Sequence, residues 1–287
     1  MAVQRISTRN ARFQQLQTLL GNRTKRGRAK EFLVQGVRPI TMAVEHGWTV
    51  RSLIHGADRP PSRWAEDLLR RVGTERIVMA PELLAELSEK GDGSAELLAV
   101  VAMEPDSLSR IRVHEDFLGL LFDRPTQPGN IGSIARSADA MGADGLIVTG
   151  HAADPYDPKS VRASTGSLFS VPVVRSPSHH EVMAWLDQER ARGLPVAVVG
   201  TDENGEADIA EFDLTRPVLL LIGNETAGLS AAWRELCDHV VSIPMTGSAS
   251  SLNASNAASV VLYEARRQRL ARTRRTPLAS SVPAPRG

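Results

Sequence analysis

The sequence has little cysteine and few aromatic residues. A single thiol, Cys237, excludes an internal disulfide and fits a reducing compartment. Phe, Trp and Tyr make up 4% of the 287 residues, which argues against a surface that stacks a row of bases on aromatic rings. Long apolar runs are absent. Runs such as 117–122 and 218–222 fall far short of the roughly 20 residues that cross a bilayer. No basic stretch leads into an apolar secretion signal, so the expected location is cytoplasmic, with no membrane partner. No Walker loop is present and no Gly-x-Gly-x-x-Gly follows a strand pattern, which removes the usual support for nucleoside triphosphates and dinucleotides. Gly-x-Ser-x-Gly is also missing, and with it the common hydrolase elbow. His179-His180-Glu181 has no complementary ligand set at metal spacing, so no metal is expected.

Apolar residues make up 42% of the chain and charged residues 23%, enough for real cores in a soluble protein. The net charge of +1 conceals a strong segregation. Residues 1–38 sum to +8 and residues 264–287 to +6, which leaves −13 for the middle. Basic ends of this kind fit a polyanionic partner, and they equally fit solvated helix faces and a free tail. The densest cluster is Arg23, Lys25, Arg26, Arg28 and Lys30, on a segment, 22–30, that reads as a Gly-containing basic loop.

Hydrophobic patterning predicts an α/β protein in two parts. Residues 1–105 alternate short helices and strands, beginning with a helix over 8–20 that stops at Gly21-Asn22. A polar segment, 106–116, reads as a linker. Residues 117–270 carry strand-like runs at 117–122, 145–148, 169–174, 196–200, 218–222 and 240–243, separated by helical stretches at 131–141, 179–192, 230–237 and 255–269. Buried apolar strands alternating with helices predict a mainly parallel sheet covered on both faces. The Arg-, Pro- and Ser-rich segment 271–287 reads as a disordered tail.

Ligands of such sheets bind at the carboxyl ends of the strands. Three loops there are unusual. The first contains Pro128, Gly129, Asn130, Gly132, Ile134 and Arg136, where Asn130 can cap the following helix and the glycines fall near the Arg136 face and leave space beside it. The second is Gly223-Asn224-Glu225 with Gly228, where a glycine ends a buried strand and permits close backbone approach. The third runs from Ile243-Pro244-Met245 to Ser251-Leu252-Asn253-Ala254-Ser255, with more hydrogen-bonding side chains than one helix cap requires. Each loop alone fits a plain turn or cap.

Together, and in this order, the three loops resemble the three signature motifs of the SpoU (TrmH-like) branch of the SPOUT RNA methyltransferases, over about residues 117–270. The first part resembles, less specifically, an L30e-like RNA-binding domain. The whole chain is similar to actinomycete antibiotic-resistance members that act on 23S rRNA. The resemblance implies S-adenosylmethionine-dependent methylation of a ribose 2′-hydroxyl, a deep trefoil knot in the C-terminal domain, and a homodimer. It implies that Arg136 activates the hydroxyl, that Asn130 positions it, that Glu225 and Asn253 shape the site, and that Ser251 contacts the reacting region. Gly223, Ile243 and Leu252 would hold the cofactor's adenosine, and Thr201 would border the same pocket. Two rival readings are methylation of tRNA ribose and a non-catalytic RNA-binding module. An inert module predicts degraded motifs, and Asn130, Arg136, Glu225, Ser251 and Asn253 are all present.

Overall fold

The computed structural model describes residues 3–88 and 95–275. The N-terminal part runs β1 (Val3–Ile6), α1 (Ala11–Gly21), α2 (Arg23–Ala29), β2 (Glu31–Gln35), α3 (Val37–Glu45), β3 (Val50–Gly56), α4 (Arg63–Arg71), β4 (Glu75–Met79), α5 (Pro81–Leu87) and β5 (Leu97–Ala102). A connection with one 3-10 turn at Leu108–Arg110 follows. The C-terminal part runs β6 (Leu118–Asp123), α6 (Pro128–Met141), β7 (Gly145–Thr149), α7 (Pro158–Ser164), β8 (Val173–Ser176), α8 (His179–Ala191), β9 (Ala197–Thr201), β10 (Ala207–Asp208), β11 (Val218–Ile222), α9 (Ala231–Leu236), β12 (His239–Ser242) and α10 (Ala254–Arg275).

The first sheet is mixed, in the order β1-β4-β3-β5-β2. The second has seven strands in the order β10-β12-β9-β11-β6-β7-β8, and every pair in it is parallel. Its central strands β6 and β11 are buried along their whole length, as near-continuous apolar runs require when both faces are covered. Ile131, Ile134 and Ala135 of α6 with Ala258, Val261 and Leu262 of α10 cover one face. Val182, Trp185 and Leu186 of α8 with Trp233 of α9 cover the other. From β6 the chain moves outward through β7 and β8, then crosses to β9 on the far side of β11. The carboxyl ends of β6, β11, β9 and β12 therefore flank the point where strand order reverses, the usual ligand crevice of open α/β sheets.

The two parts share one core. Phe32 lies 4.7 Å from the Tyr156 ring and 6.2 Å from Phe169. Trp48 packs edge-on against Phe169 at 5.1 Å, and its indole N–H donates to the Phe169 carbonyl at 3.0 Å. The connecting segment is packed rather than loose: Ile111 is buried, and Asp106 accepts two bonds from the Arg175 guanidinium at 2.8 and 2.6 Å.

Several elements differ from the sequence expectations. Residues 22–30 are not a loop. Asn22 closes α1 with its backbone N–H and starts α2 by accepting from the Lys25 N–H at 3.0 Å. Gly27 in the middle of α2 hides the helix, because glycine costs about 1 kcal/mol there relative to alanine. The expected strand over 169–174 is a 3-10 turn at Ser167–Phe169 followed by β8. Strand β1 and helix α7 were not expected. Asp157 caps α7 by accepting from Lys159, with Pro158 in the first turn. Helix α10 runs to Arg275, so residues 271–275 of the expected tail are helical, and 276–287 lie outside the described residues. Among the described residues no helix is long and apolar enough to cross a membrane.

Candidate active site

Strand β6 ends on Asp123, which is buried and held by three donors: the Ser230 N–H at 2.8 Å, the Arg124 Nε at 3.1 Å and the Thr149 hydroxyl at 3.3 Å. Arg124 has a left-handed backbone (φ 50), a conformation that a non-glycine residue keeps only when its surroundings hold it. Its guanidinium also donates to the Gly228 carbonyl at 3.1 Å. The chain after β6 is thus fastened to the chain after β11.

Glu225 completes that fastening. Its carboxylate accepts from the Thr126 N–H and hydroxyl at 3.0 Å each, the Gln127 N–H at 3.2 Å and the Asn130 amide at 2.9 Å. Burial opposes the charge. The Thr126, Asn130 and Gln127 donors together outweigh it and hold the carboxyl below the usual carboxylate range. Glu225 is therefore an ionised tie between two loops, and its acceptor positions are occupied.

Asn130 does not cap α6, contrary to the sequence reading. It sits inside the first turn, and its amide is turned to Glu225. Its oxygen accepts from the Asn253 amide at 3.3 Å. Asn253 in turn caps α10, its oxygen accepting from the Ser255 N–H at 2.9 Å and the Ser255 hydroxyl at 2.6 Å. The direction of every bond follows. The helix end claims the Asn253 oxygen, so its NH2 faces Asn130. Asn130 then offers its NH2 to the carboxylate. One chain, Asn253 to Asn130 to Glu225, joins the three loops singled out in the sequence.

Beside this chain lies a cleft of about 440 Å³, within the size range of cofactor sites. It is lined by Thr201, Gly223, Glu225, Ile243, Ser251 and Leu252 among others. All four residues expected to hold a cofactor therefore border one cavity. The Thr201 hydroxyl is committed to the Leu221 carbonyl at 2.8 Å, so it shapes the wall and has its proton in use. Leu252 and Met245 are exposed at 39% and 37%, an apolar surface that a ligand can cover. Gly223 is required by its own loop. A Cβ there would stand 2.5 Å from the Gly228 carbonyl carbon, where the chain doubles back through the Asn224–Gly228 bridge. Among the described residues, no three His, Cys, Asp or Glu side chains converge as a metal site would require.

Arg136 stands apart. It is exposed on α6, makes no hydrogen bond or ion pair among the described residues, and does not line the cleft. It lies six residues beyond Asn130, about 9 Å along the helix and a third of a turn away. Nor do the glycines make room for it. A Cβ on Gly132 would stand 2.1 Å from the Ser160 carbonyl oxygen, so this glycine exists for the contact of α6 with α7. Gly129 has open space around its Cβ position.

Of the five basic residues expected at an RNA surface, Arg23, Lys25, Arg28 and Lys30 are exposed. Arg26 is not. It is 2% exposed and bonded to two carboxylates and two carbonyls, so it has no surface to offer a phosphate. Sequence reading missed Arg124, Thr126 and Asn224, whose amide donates to the Arg124 carbonyl at 2.6 Å. It also missed the rim pair Asp202 and Arg234, 2.8 Å apart. Asn224 had a signal: an Asn between a strand-ending Gly and an acid is a turn-former whose side chain can staple a loop.

Fold and site define a two-domain α/β protein whose ligand cleft is built by the loops after its central parallel strands. Residues 118–263 match the SpoU rRNA Methylase family, and residues 10–99 match the SpoU L30e-like domain. The chain belongs to the SpoU rRNA methylase family. It is 67% identical over 277 residues, 96% of each chain, to a 23S rRNA (uridine(2479)-2′-O)-methyltransferase of Streptomyces viridochromogenes. A 23S rRNA (guanosine(2553)-2′-O)-methyltransferase of Bacillus subtilis is 30% identical, with 86% of this chain and 93% of that one covered. The crystal structure of the SpoU methyltransferase AviRb from Streptomyces viridochromogenes, in complex with AdoMet, superimposes with a TM-score of 0.89 at 68% identity, covering 91% of this chain and 99% of that one.

Proposed function

We propose that this protein methylates the 2′-hydroxyl of a uridine in 23S rRNA with S-adenosylmethionine, and so protects the large subunit from an antibiotic. The observation that carries the reading is the intact Asn253–Asn130–Glu225 chain beside the cleft, in a protein 67% identical to such an enzyme. An inert binding module has no use for three loops locked in this order. The N-terminal domain, with the exposed Arg23, Lys25, Arg28 and Lys30, favours a structured rRNA over tRNA.

The cleft fits the cofactor in size and in chemistry: apolar Leu252 and Ile243 for an adenine face, and backbone groups around Gly223 for its polar edge. When bound, S-adenosylmethionine supplies an electrophilic methyl group. The chain's own residues then orient the acceptor. Ser251 lines the cleft and offers a hydroxyl to the reacting ribose. Glu225, already ionised and fully engaged, holds Asn130 rather than taking a proton. Orientation alone can contribute several kcal/mol to such a transfer. Arg136 binds the phosphate next to the target ribose and orients its hydroxyl, since a guanidinium rarely gives up its own proton; as the ribose oxygen takes the methyl, its proton passes to that phosphate and on to water.

The reading includes a knotted C-terminal end and a homodimer. Exposed Val260, Tyr263 and Leu270 repeat along α10 at three- and seven-residue steps. Ser259 beside them meets Ser137 of α6 at 2.8 Å, next to Arg136. A second copy covering this face hides the apolar stripe and carries Arg136 toward the partner's cleft. The protein then acts in the cytoplasm, where ribosomes are. Mass spectrometry of nucleosides from 23S rRNA, with and without the protein, tests the function. Appearance of one 2′-O-methyluridine is expected, and a methylated base with an unmodified ribose overturns the reading.

A further inference from the structure

Helix α2 carries Arg23, Lys25 and Arg28 on seven residues that include Gly27, and Lys30 is its C-cap. A helix this short has almost no stability of its own. Its one buried residue is Arg26. The Arg26 guanidinium donates to the Asp154 carboxylate at 3.0 Å, to Asp157 at 3.3 Å, and to the Leu19 and Leu20 carbonyls at 2.9 Å each. Asp154 and Asp157 belong to the loop after β7 and the start of α7, in the catalytic domain. Asp154 is itself buried and lies 3.9 Å from Arg175, which grips Asp106 of the connection between the domains. Charges of alternating sign thus run from Asp106 through Arg175 and Asp154 to Arg26 and Asp157. Arg23 adds a bond from the same helix to the Ala152 carbonyl.

We propose that Arg26 is a positioning residue for RNA: it pins the basic helix α2 to the catalytic domain, so that its four exposed cations stand at a fixed place relative to the cleft. The inference rests on the RNA-methylation reading above. Arg26 itself touches no phosphate. Its charge is spent on two carboxylates, and the cations it carries into place do the binding. A desolvated guanidinium suits this task, because its rigid fork satisfies four acceptors at once, where a lysine ammonium has only three donors.

The test uses the full chain and a 23S rRNA fragment bearing the target, with affinity measured across a series of salt concentrations. A residue that contacts a phosphate lowers the salt slope by about one unit when removed. Lys25→Ala is expected to do so. Arg26→Met is expected to weaken RNA binding at least fivefold while changing the slope by less than half a unit and S-adenosylmethionine affinity by less than twofold. Arg26→Lys is expected to recover part of the loss. Because Arg26→Met strands two carboxylates, Arg26→Met/Asp154→Asn and the milder Asp157→Asn, which keeps the α7 cap, serve where the first variant does not fold. A slope lowered by a full unit makes Arg26 a phosphate contact and overturns the proposal. So does unchanged RNA affinity in a folded Arg26→Met protein. Wild-type protein that binds the RNA but leaves every ribose unmethylated refutes the proposed function alone, and the affinity series still judges Arg26.

Discussion

Replacing Glu225 by Gln changes one oxygen for an NH2 and leaves volume and length intact. The consequence follows from what surrounds it. Five donors converge on this carboxylate: the Thr126 N–H and hydroxyl, the Gln127 N–H, the Asn130 amide and, at 3.5 Å, the Asn224 amide. With the new amide's oxygen toward Thr126, its NH2 faces Gln127 and Asn130. The Gln127 N–H loses its partner, and Asn130 must turn over to offer an oxygen. Its NH2 then meets the NH2 of Asn253, which cannot turn without uncapping α10. The mismatch therefore travels along the chain and cannot be relieved locally. A hydrogen bond to a charged group contributes about 1.5–3 kcal/mol, and the half-buried setting favours the lower end. Two such losses amount to about 3 kcal/mol of distortion at the cleft, a fall of about 150-fold in kcat/KM. Single-turnover transfer of labelled methyl to an rRNA fragment measures it, with circular dichroism confirming the fold. A Gln variant within threefold of the wild type would refute the role assigned to the chain.

Four further outcomes are expected. Arg136→Ala should lower methyl transfer at least 100-fold while leaving S-adenosylmethionine affinity within twofold, since the side chain lies outside the cleft and has no partner to lose. Gly132→Ala should destabilise by about 3 kcal/mol, roughly 6–10 °C in Tm by calorimetry, because the clash is with the Ser160 backbone and no side chain can swing aside. Tyr263→Asp should give a folded monomer by light scattering, inactive even at high concentration, if the α10 face joins two copies. The pH dependence has a definite sign. The Glu225 carboxyl is held below its ordinary value of 4.5 in the fold, so the stability it contributes is full above that pH and is lost as pH falls through the depressed value. The difference in Tm between wild type and Glu225→Gln should therefore be constant near neutrality and shrink below about pH 4.5.

The site was more legible in the sequence than the local structure around it. Glycine, asparagine and acid placed after buried strands mark loops whatever the fold, and parallel topology then brings loops distant in sequence together. Asn130, Glu225 and Asn253 span 123 positions and share one hydrogen-bonded chain because β6 and β11 are neighbours in the sheet. The role of each residue was less legible. Asn130 reads as a cap and is a relay. Gly223 and Gly132 read as space for a ligand and for a guanidinium, and both make room for backbone. Spacing reports that a Cβ is excluded and is silent on what excludes it. Helix α7 was missed and strand β8 placed too early for a related reason: Pro158, Gly166 and Pro172 break the periodicity, and the cap that rescues the helix acts through Asp157.

Arg26 shows where composition stops being informative. Among five basic residues within eight positions, charge alone gives each the same standing. The helical turn separates them. Once residues 23–29 are helical, one side of the turn must face inward, and Arg26 is the residue that does. Burying it there requires acceptors, and Asp154 and Asp157 supply them from the other domain, 128 and 131 positions away. A buried pair of this kind is weak evidence for stability, since packed apolar residues can do as well. It is stronger evidence for a fixed arrangement, because it is satisfied only in one relative position of helix and loop. On the proposed reading the same cluster divides its labour: the exposed cations are left for RNA, and Arg26 determines where they stand.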